Sequence, residues 1–284
     1  MKKGQLAQIG FLEVVIMAIA SSARIHATAL VDPRASIAEG TTIGPYVIID
    51  GPVQIGPRCD IRAGVQILGE TVLGEGNVVH PYAVLGGEPQ HLAYKGEPTR
   101  LEIGDFNIIR EHVTIHRGSH LSGVTRVGSY NFLMANSHVG HDCIVGNHCT
   151  LANQALLAGS VELADRVLMS GSAALHQFVR AGRLCMISGL AGSTMDVPPF
   201  VIVRNINVIC GVNVIGMRRA GISNTAIDAV RRAYAILYKG MALTPVALAE
   251  IEAKMGDVPE VMEFVSFIRQ AKRGVSRDVV RDAA

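Results

Sequence analysis

Residues 43–61 read Ile43-Gly44-Pro45-Tyr46-Val47-Ile48-Ile49-Asp50-Gly51-Pro52-Val53-Gln54-Ile55-Gly56-Pro57-Arg58-Cys59-Asp60-Ile61. An aliphatic side chain stands at 43, 49, 55 and 61, and the count holds far beyond this stretch. From Ile25 to Ile187 in steps of six, twenty-five of twenty-eight positions are Ile, Val, Leu or Met; only His91, Glu97 and Ala181 depart. A helix repeats every 3.6 residues and a pleated strand every two, so neither produces a period of six. A fixed short repeat marks a solenoid, here an all-β parallel β-helix of hexapeptide repeats. Three hexads close a triangular coil, so residues eighteen apart stack on one edge, about 4.8 Å apart as neighbouring strands are. Gly44-Pro45 and Gly56-Pro57, directly after the aliphatic, mark corners.

Outward from this stretch the chain divides into four parts. Residues 1–24 form an amino-terminal extension, 25–190 the β-helix, 191–222 a connecting segment and 223–284 a helical cap over the open end of the coil. Ser223-Asn224 caps a first helix, Thr244-Pro245 opens a second, and Pro259-Glu260 opens a third that ends near Gly274. Within the β-helix, Gly86 to Glu102 and His116 to Arg126 interrupt the repeat and read as loops expelled from the coils. Rigid coils hold such loops in place, which suits them to function. Lys2 and Lys3 followed by an apolar stretch loosely resemble a signal peptide. Glu13 breaks that stretch, so an upstream extension with Met17 as an alternative start is the expected reading.

Composition excludes several classes. The 284 residues carry 49% apolar side chains, 5% aromatics and no Trp, suiting a narrow aliphatic core. A net charge of +2 with no aromatic-interleaved basic run argues against nucleic acid and stable membrane insertion. Four of the five cysteines (Cys59, Cys143, Cys149, Cys185) fall four residues after a repeat position, a slot for small inward side chains. They read as buried, reduced thiols in a cytoplasmic protein.

Histidines concentrate in His138-Val139-Gly140-His141-Asp142-Cys143, with His176-Gln177 beyond. They can be polar side chains on an exposed face. They can be metal ligands, but Cys143 falls in an inward slot and cannot share a shell with an outward His141, so no metal is expected. They can also be acid–base groups. His141, Gly159 and Gln177 are spaced by eighteen and line one edge on successive coils. That places a base, an approachable backbone N–H and an amide side by side, as acyl transfer requires. Asp142 can orient the imidazole if a corner relaxes the rule that adjacent strand residues face opposite ways.

At these residues the sequence resembles the UDP-N-acetylglucosamine O-acyltransferase family. The hexads carry the resemblance, with Pro89-Gln90 through Arg100, Thr114-Ile115-His116-Arg117-Gly118 and His138 to Cys143. Leu175-His176-Gln177-Phe178, Asp196-Val197-Pro198-Pro199 and Gly211-Val212-Asn213 extend it. The resemblance implies a left-handed β-helix assembled as a homotrimer. It implies transfer of an (R)-3-hydroxyacyl group from acyl carrier protein to the 3-OH of UDP-N-acetylglucosamine, the first step of lipid A biosynthesis. The carrier's phosphopantetheine thioester is then a co-substrate and no other cofactor is needed. Matched position by position, His141 is the general base, Asp142 its partner and the Gly159 N–H the oxyanion donor. Gln90, His91, His138, His176, Gln177, Asn213 and Arg219 match substrate contacts, and Gly189 matches a position limiting acyl length.

The chain departs from the family pattern at His91 (usually Asp), Ala93 (Lys), Ser160 (His) and Ile215 (Glu). Loss of the carboxylate at 91 suggests a 3-amino-3-deoxy acceptor, because an amine attacks only when neutral. Arg218, Arg219, Arg231, Arg232 and Lys239 suit docking of an acidic carrier protein. Three other readings stay open: an acyltransferase using a CoA donor or another sugar, a zinc-dependent γ-type carbonic anhydrase, and a non-catalytic scaffold.

Overall fold

A computed structural model describes residues 19–240 and 242–278. Of the amino-terminal extension, residues 1–18 lie outside the described residues. The described chain forms a left-handed parallel β-helix closed by helices. Two-residue strands such as Thr42–Ile43, His138–Val139 and Ile144–Val145 stack into three parallel faces. The first face runs from Arg24–Ile25 to Met186–Ile187 and on to Val201–Asn205. The second runs from Leu30–Val31 to Gly192–Ser193, and the third from Ser36–Ile37 to Arg180–Ala181.

The repeat aliphatics point inward. Ile43, Ile61, Ile109, Leu133, Leu151 and Ile187 are at most 1% exposed. The slot four residues on takes Val47, Val65, Cys143, Cys149 and Cys185, and burial pushes the Cys143 and Cys149 thiols up to about 12. Along one inner corner the slot is polar. Asn77, Asn107 and Asn131 stack on successive coils, each Oδ1 accepting the backbone N–H of the residue above, at 2.9, 2.8 and 2.7 Å. The ladder satisfies corner amides that no strand reaches.

Both interruptions leave the solenoid at one edge, where the second face turns into the third. Val84 pairs with Thr114, thirty residues on, and Thr114 pairs with His138, twenty-four residues on. The loops therefore insert twelve and six residues into coils of eighteen. Because both insertions are multiples of six, the sequence keeps its phase through them, and Leu121 sits in phase while lying half exposed outside the core.

The ends differ from the boundaries read in the sequence. Ile19 already bridges to Ile37 and the Ala20 N–H donates to the Ile37 carbonyl, so the first coil starts before residue 25. At the other end, Ile202 and Val203 pair with Met186 and Ile187, so the last coil passes residue 190. A hairpin of Val201–Asn205 with Val208–Val212 follows. Helix α1 then runs Val214–Arg219, inside the segment expected to be a connector. Helix α2 (Asn224–Tyr234) is capped by Ser223, whose Oγ accepts the Ala226 N–H, and continues as a π-turn Ala235–Lys239. Helices α3 (Thr244–Met255) and α4 (Pro259–Arg269) begin where their prolines predict. Arg277–Asp278 returns to the first face, with Asp278 held by Tyr234 and Lys239. No helix among the described residues is long and apolar enough to cross a membrane.

Candidate active site

The edge that expels both loops also carries His141, Gly159 and Gln177 on the coils above them. His141 follows the strand His138–Val139 at this corner, and its side chain is 11% exposed. Asp142 occupies the corner itself with φ 61°, in the left-handed region. That turn rotates Asp142 out of the alternation of a flat strand, so neighbouring side chains meet: His141 Nδ1 lies 2.7 Å from Asp142 Oδ2. The Asp142 N–H donates to Thr125 Oγ1 at 2.8 Å, which holds the corner down.

Gly159 sits one coil up, and its carbon face is covered by the imidazole. A Cβ at Gly159 would lie 2.5 Å from His141 Cε1 and 2.7 Å from Nε2, so only glycine fits there. The Ser160 N–H donates to the His141 carbonyl at 2.8 Å, tying the two corners together. The Gly159 N–H and His141 Nε2 have no hydrogen-bond partner among the described residues. A base with a free lone pair and a free backbone donor thus lie on adjacent coils of one edge.

The Asp142 carboxylate is almost fully buried, and its ligands come from the second loop. Oδ1 accepts the Ser119 N–H (2.9 Å), the Ser122 N–H (3.3 Å) and the Ser122 hydroxyl (2.6 Å); Oδ2 accepts the Ser119 hydroxyl (2.5 Å). Burial pushes the carboxyl up, but these donors together with His141 outweigh it and hold it at about 2. Asp142 is an anion at neutral pH and fixes the His141 proton on Nδ1.

The first loop brings His91 over the base, its ring centroid 5.1 Å from that of His141 and roughly perpendicular. His91 Nδ1 accepts the Ala93 N–H at 3.2 Å, and His120 of the second loop packs on its other side at 4.8 Å. Arg117 braces the loop: it donates to the Gly86 carbonyl (2.9 Å), the Tyr94 hydroxyl (3.1 Å) and Glu88 (3.3 Å). Below, His138 and His116 meet edge to face at 4.8 Å, with His138 Nδ1 2.7 Å from Thr114 Oγ1. Burial, then the neighbouring imidazoles and Arg117, hold His116 down at about 4; burial and His141 lower His138. Both rings are neutral at neutral pH and offer hydrogen bonds without charge.

The structure gathers some expected site residues and separates others. His91, His138, His141, Asp142 and Gly159 converge. Gln90, beside His91, is exposed, as are His176 and Gln177 one coil above Gly159. Gly189 stands on a different edge, between the first and second faces, its α-carbon side against the Gly171 carbonyl. Asn213 caps α1 through Oδ1 and donates to the Leu184 carbonyl (2.8 Å), and with Arg219 it lines a cleft of about 550 Å³ against the first face. Neither reaches His141 within one chain. Lys239, expected on a docking surface, is engaged by Asp278 at 2.8 Å, and Arg231 pairs with Asp228. Cys143 is turned inward, its thiol directed at the Ala158 carbonyl. Sequence reasoning missed Ser119, Ser122, His116 and Arg117 as parts of the site. The expelled second loop was the available signal, but its contacts follow no periodicity.

Three comparisons with known proteins agree. The family model described as Udp N-acetylglucosamine O-acyltransferase, domain 2, matches residues 196–276, and the bacterial transferase hexapeptide model matches 34–69 and 124–159. The chain is 46% identical over 255 residues to an acyl-[acyl-carrier-protein]–UDP-N-acetylglucosamine O-acyltransferase of Anaeromyxobacter sp. (strain Fw109-5), covering 89% of this chain and 99% of that protein. It is 40% identical to the enzyme of that name from Rhizobium johnstonii, covering 88% and 93%. The crystal structure of a Francisella novicida UDP-N-acetylglucosamine acyltransferase superposes with a TM-score of 0.86 at 33% identity, covering 92% and 96%. The hexapeptide coils, the histidine-lined edge and relatives this similar along nearly the whole chain lead to one conclusion: the protein is an enzyme of the UDP-N-acetylglucosamine O-acyltransferase family.

Proposed function

We propose that the chain transfers an (R)-3-hydroxyacyl group from acyl carrier protein to the 3-position of UDP-N-acetylglucosamine, the first step of lipid A biosynthesis. The observation that carries this reading is the stacking of the Asp142-oriented imidazole of His141 on Gly159. Nε2 takes the proton of the acceptor hydroxyl as its oxygen attacks the thioester carbonyl. The tetrahedral oxyanion faces the Gly159 N–H. The C–S bond then breaks, and the imidazolium returns its proton to the departing phosphopantetheine thiolate. No covalent enzyme intermediate and no cofactor is required.

The outward positions of the second face beyond His138 are Leu156, Ala174 and Gly192, an apolar track that leads from the base toward the edge of Gly189. The acyl chain lies along it, with Gly189 near its end. Asn213 and Arg219 lie on the first-face side, and in a homotrimer they complete the site of a neighbouring copy. The first face supports that assembly: Ile108, Phe132, Leu168, Met186 and Ile202 present an apolar outward surface, whereas the third face presents Glu102, Arg126, Glu162 and Arg180. Arg231 and Arg232, both exposed on α2, suit an acidic carrier protein. The buried thiols suit a reducing cytoplasm.

A second reading of the acceptor rests on its surroundings. The imidazoles of His91, His116 and His138 border His141, and the nearest acids of the first loop are directed elsewhere: Glu88 to Arg117, Glu97 to the Lys95 N–H. The carboxylate beside His141, Asp142, is already engaged by His141, Ser119 and Ser122 and is buried behind the imidazole, so a neutral 3-amino-3-deoxy sugar nucleotide, giving an amide, fits this pocket. Both readings are tested by a mass-spectrometric assay offering UDP-N-acetylglucosamine and its 3-amino analogue with a series of 3-hydroxyacyl carrier proteins. Acyl transfer that disappears in His141→Ala supports the mechanism; equal rates in both proteins would discard it. His91→Asp should move kcat/KM toward the hydroxyl acceptor, and an unmoved ratio removes the amine reading.

A further inference from the structure

We propose that Ser119 and Ser122 are positioning residues for acyl transfer, a hydroxyl clasp that holds Asp142 in the one orientation fixing the His141 tautomer; this deepens, and rests on, the reading of His141 as base. Four donors from one six-residue insertion converge on one carboxylate, two hydroxyls and two backbone N–H groups, all between 2.5 and 3.3 Å. A carboxylate has about four lone-pair sites. With His141 Nδ1 and these four donors Asp142 is saturated, and it has no freedom to rotate away from the imidazole. Ser119 is fully buried, an unusual place for a hydroxyl unless it is engaged, and its Oγ also accepts the Leu121 N–H. The Ser122 hydroxyl is held at Asp142 Oδ1 and 2.9 Å from the Val124 carbonyl. The same insertion begins at Arg117, the brace of the first loop, so both loops meet over one base.

Donors to a carboxylate draw charge from it and weaken its pull on the imidazolium. Removing a hydroxyl leaves Asp142 ionised at neutral pH but a stronger partner for protonated His141. The acid limb of the rate profile, which reports the coupled dyad, then leaves its wild-type position. The groups facing this dyad are His91, His116, His120 and His138 on the substrate side. On the other side Glu162, Arg180, Asp196, Lys272 and Arg273 line one cleft with Ser122 and Asp142. All of them are unchanged in the serine variants, so a displaced limb reports the clasp.

The experiment compares wild type, Ser119→Ala, Ser122→Ala, the two threonine variants and His141→Ala, using UDP-N-acetylglucosamine and a 3-hydroxyacyl carrier protein. The expected result for each alanine variant is a fall in kcat of about tenfold, as for a lost hydrogen bond to a charged group. KM for the sugar nucleotide stays unchanged, the acid limb of kcat/KM leaves its wild-type position, and threonine recovers both. An acid limb left at its wild-type position in folded Ser122→Ala overturns the clasp, as does an equal loss in the threonine variants. Ser122 is an exposed residue, so Ser122→Ala carries the test if Ser119→Ala fails to fold. A fully active His141→Ala instead sinks the base assignment, while an inactive His141→Ala beside silent serine variants sinks the clasp alone.

Discussion

Asp142 and Gly159 are set by what they touch, since the left-handed corner of Asp142 recurs at Arg58, Phe106 and Leu184. Asp142 accepts a left-handed backbone more readily than most side chains, and its short carboxylate reaches the adjacent imidazole only because of that turn. Gly159 is glycine because the His141 ring occupies the place of its Cβ. Gly159→Ala keeps the backbone N–H but displaces the imidazole. A shift of about 1 Å in a catalytic group costs on the order of a hundredfold, so kcat should fall by about that factor. The thermal midpoint should change less than the rate, since the ring is displaced against the loop residue His91 rather than into the core of the coil. Steady-state kinetics beside a melting curve checks both, and a variant with wild-type kcat would remove Gly159 from the site.

At the scale of elements, the coil is held by what fills its inward slots. Aliphatics supply most of the core, but the asparagine ladder is the polar exception. Asn107 Oδ1 accepts the Asn131 N–H, and its Nδ2 donates to Asn77 Oδ1 at 2.9 Å and to the Gly104 carbonyl at 3.2 Å. Asn107→Ala leaves the buried Asn131 N–H without its partner and opens a cavity, while the Gly104 carbonyl and Asn77 Oδ1 keep their other donors. The cost should be about 2–3 kcal/mol, at the upper end for a buried unsatisfied group. Urea unfolding measures it, and a loss below about 0.5 kcal/mol would mean water replaces the amide. The ladder runs up the corner where the third face turns into the first, away from the edge of His141, so Asn107→Ala should lower stability with kcat and KM near wild type.

For the whole molecule, the outward residues of the three faces have unlike chemistry. Apart from Thr150 the first face is apolar from Val78 to Ile202, the second carries the histidines and the acyl track, and the third carries Glu102, Arg126, Glu162 and Arg180 around Ile144. A solenoid cannot turn an apolar outer face inward, because its two-residue strands already commit the alternate positions to the core. In the homotrimer proposed above, another copy covers this face and leaves the charged one in water. Under that assembly, Phe132→Asp on the first face should give a monomer in light scattering and abolish transfer, because Asn213 and Arg219 are proposed to complete a neighbour's site. A trimeric, active Phe132→Asp would place the interface elsewhere.

A period of six converts distance along the chain into position on a prism, so the sequence by itself determined the coil, the inward cysteines and the stacking of His141, Gly159 and Gln177. Helix starts at Ser223, Thr244 and Pro259 were legible for the same local reason: caps and prolines act within one turn. The boundaries at 25 and 190 were not, because Ile19 and Ile202 join the coil through pairing with strands that define it. Only the tertiary structure decided what the two expelled loops touch. Their twelve and six extra residues preserve the phase while leaving the repeat, so Leu121 counts as a core residue and is not one. Ser119, Ser122 and His91 reach the dyad through contacts between a loop and a coil, which no repeat encodes. The same holds for Asn213 and Arg219: spacing places a residue along the chain, but which face it serves depends on how the last coil folds back.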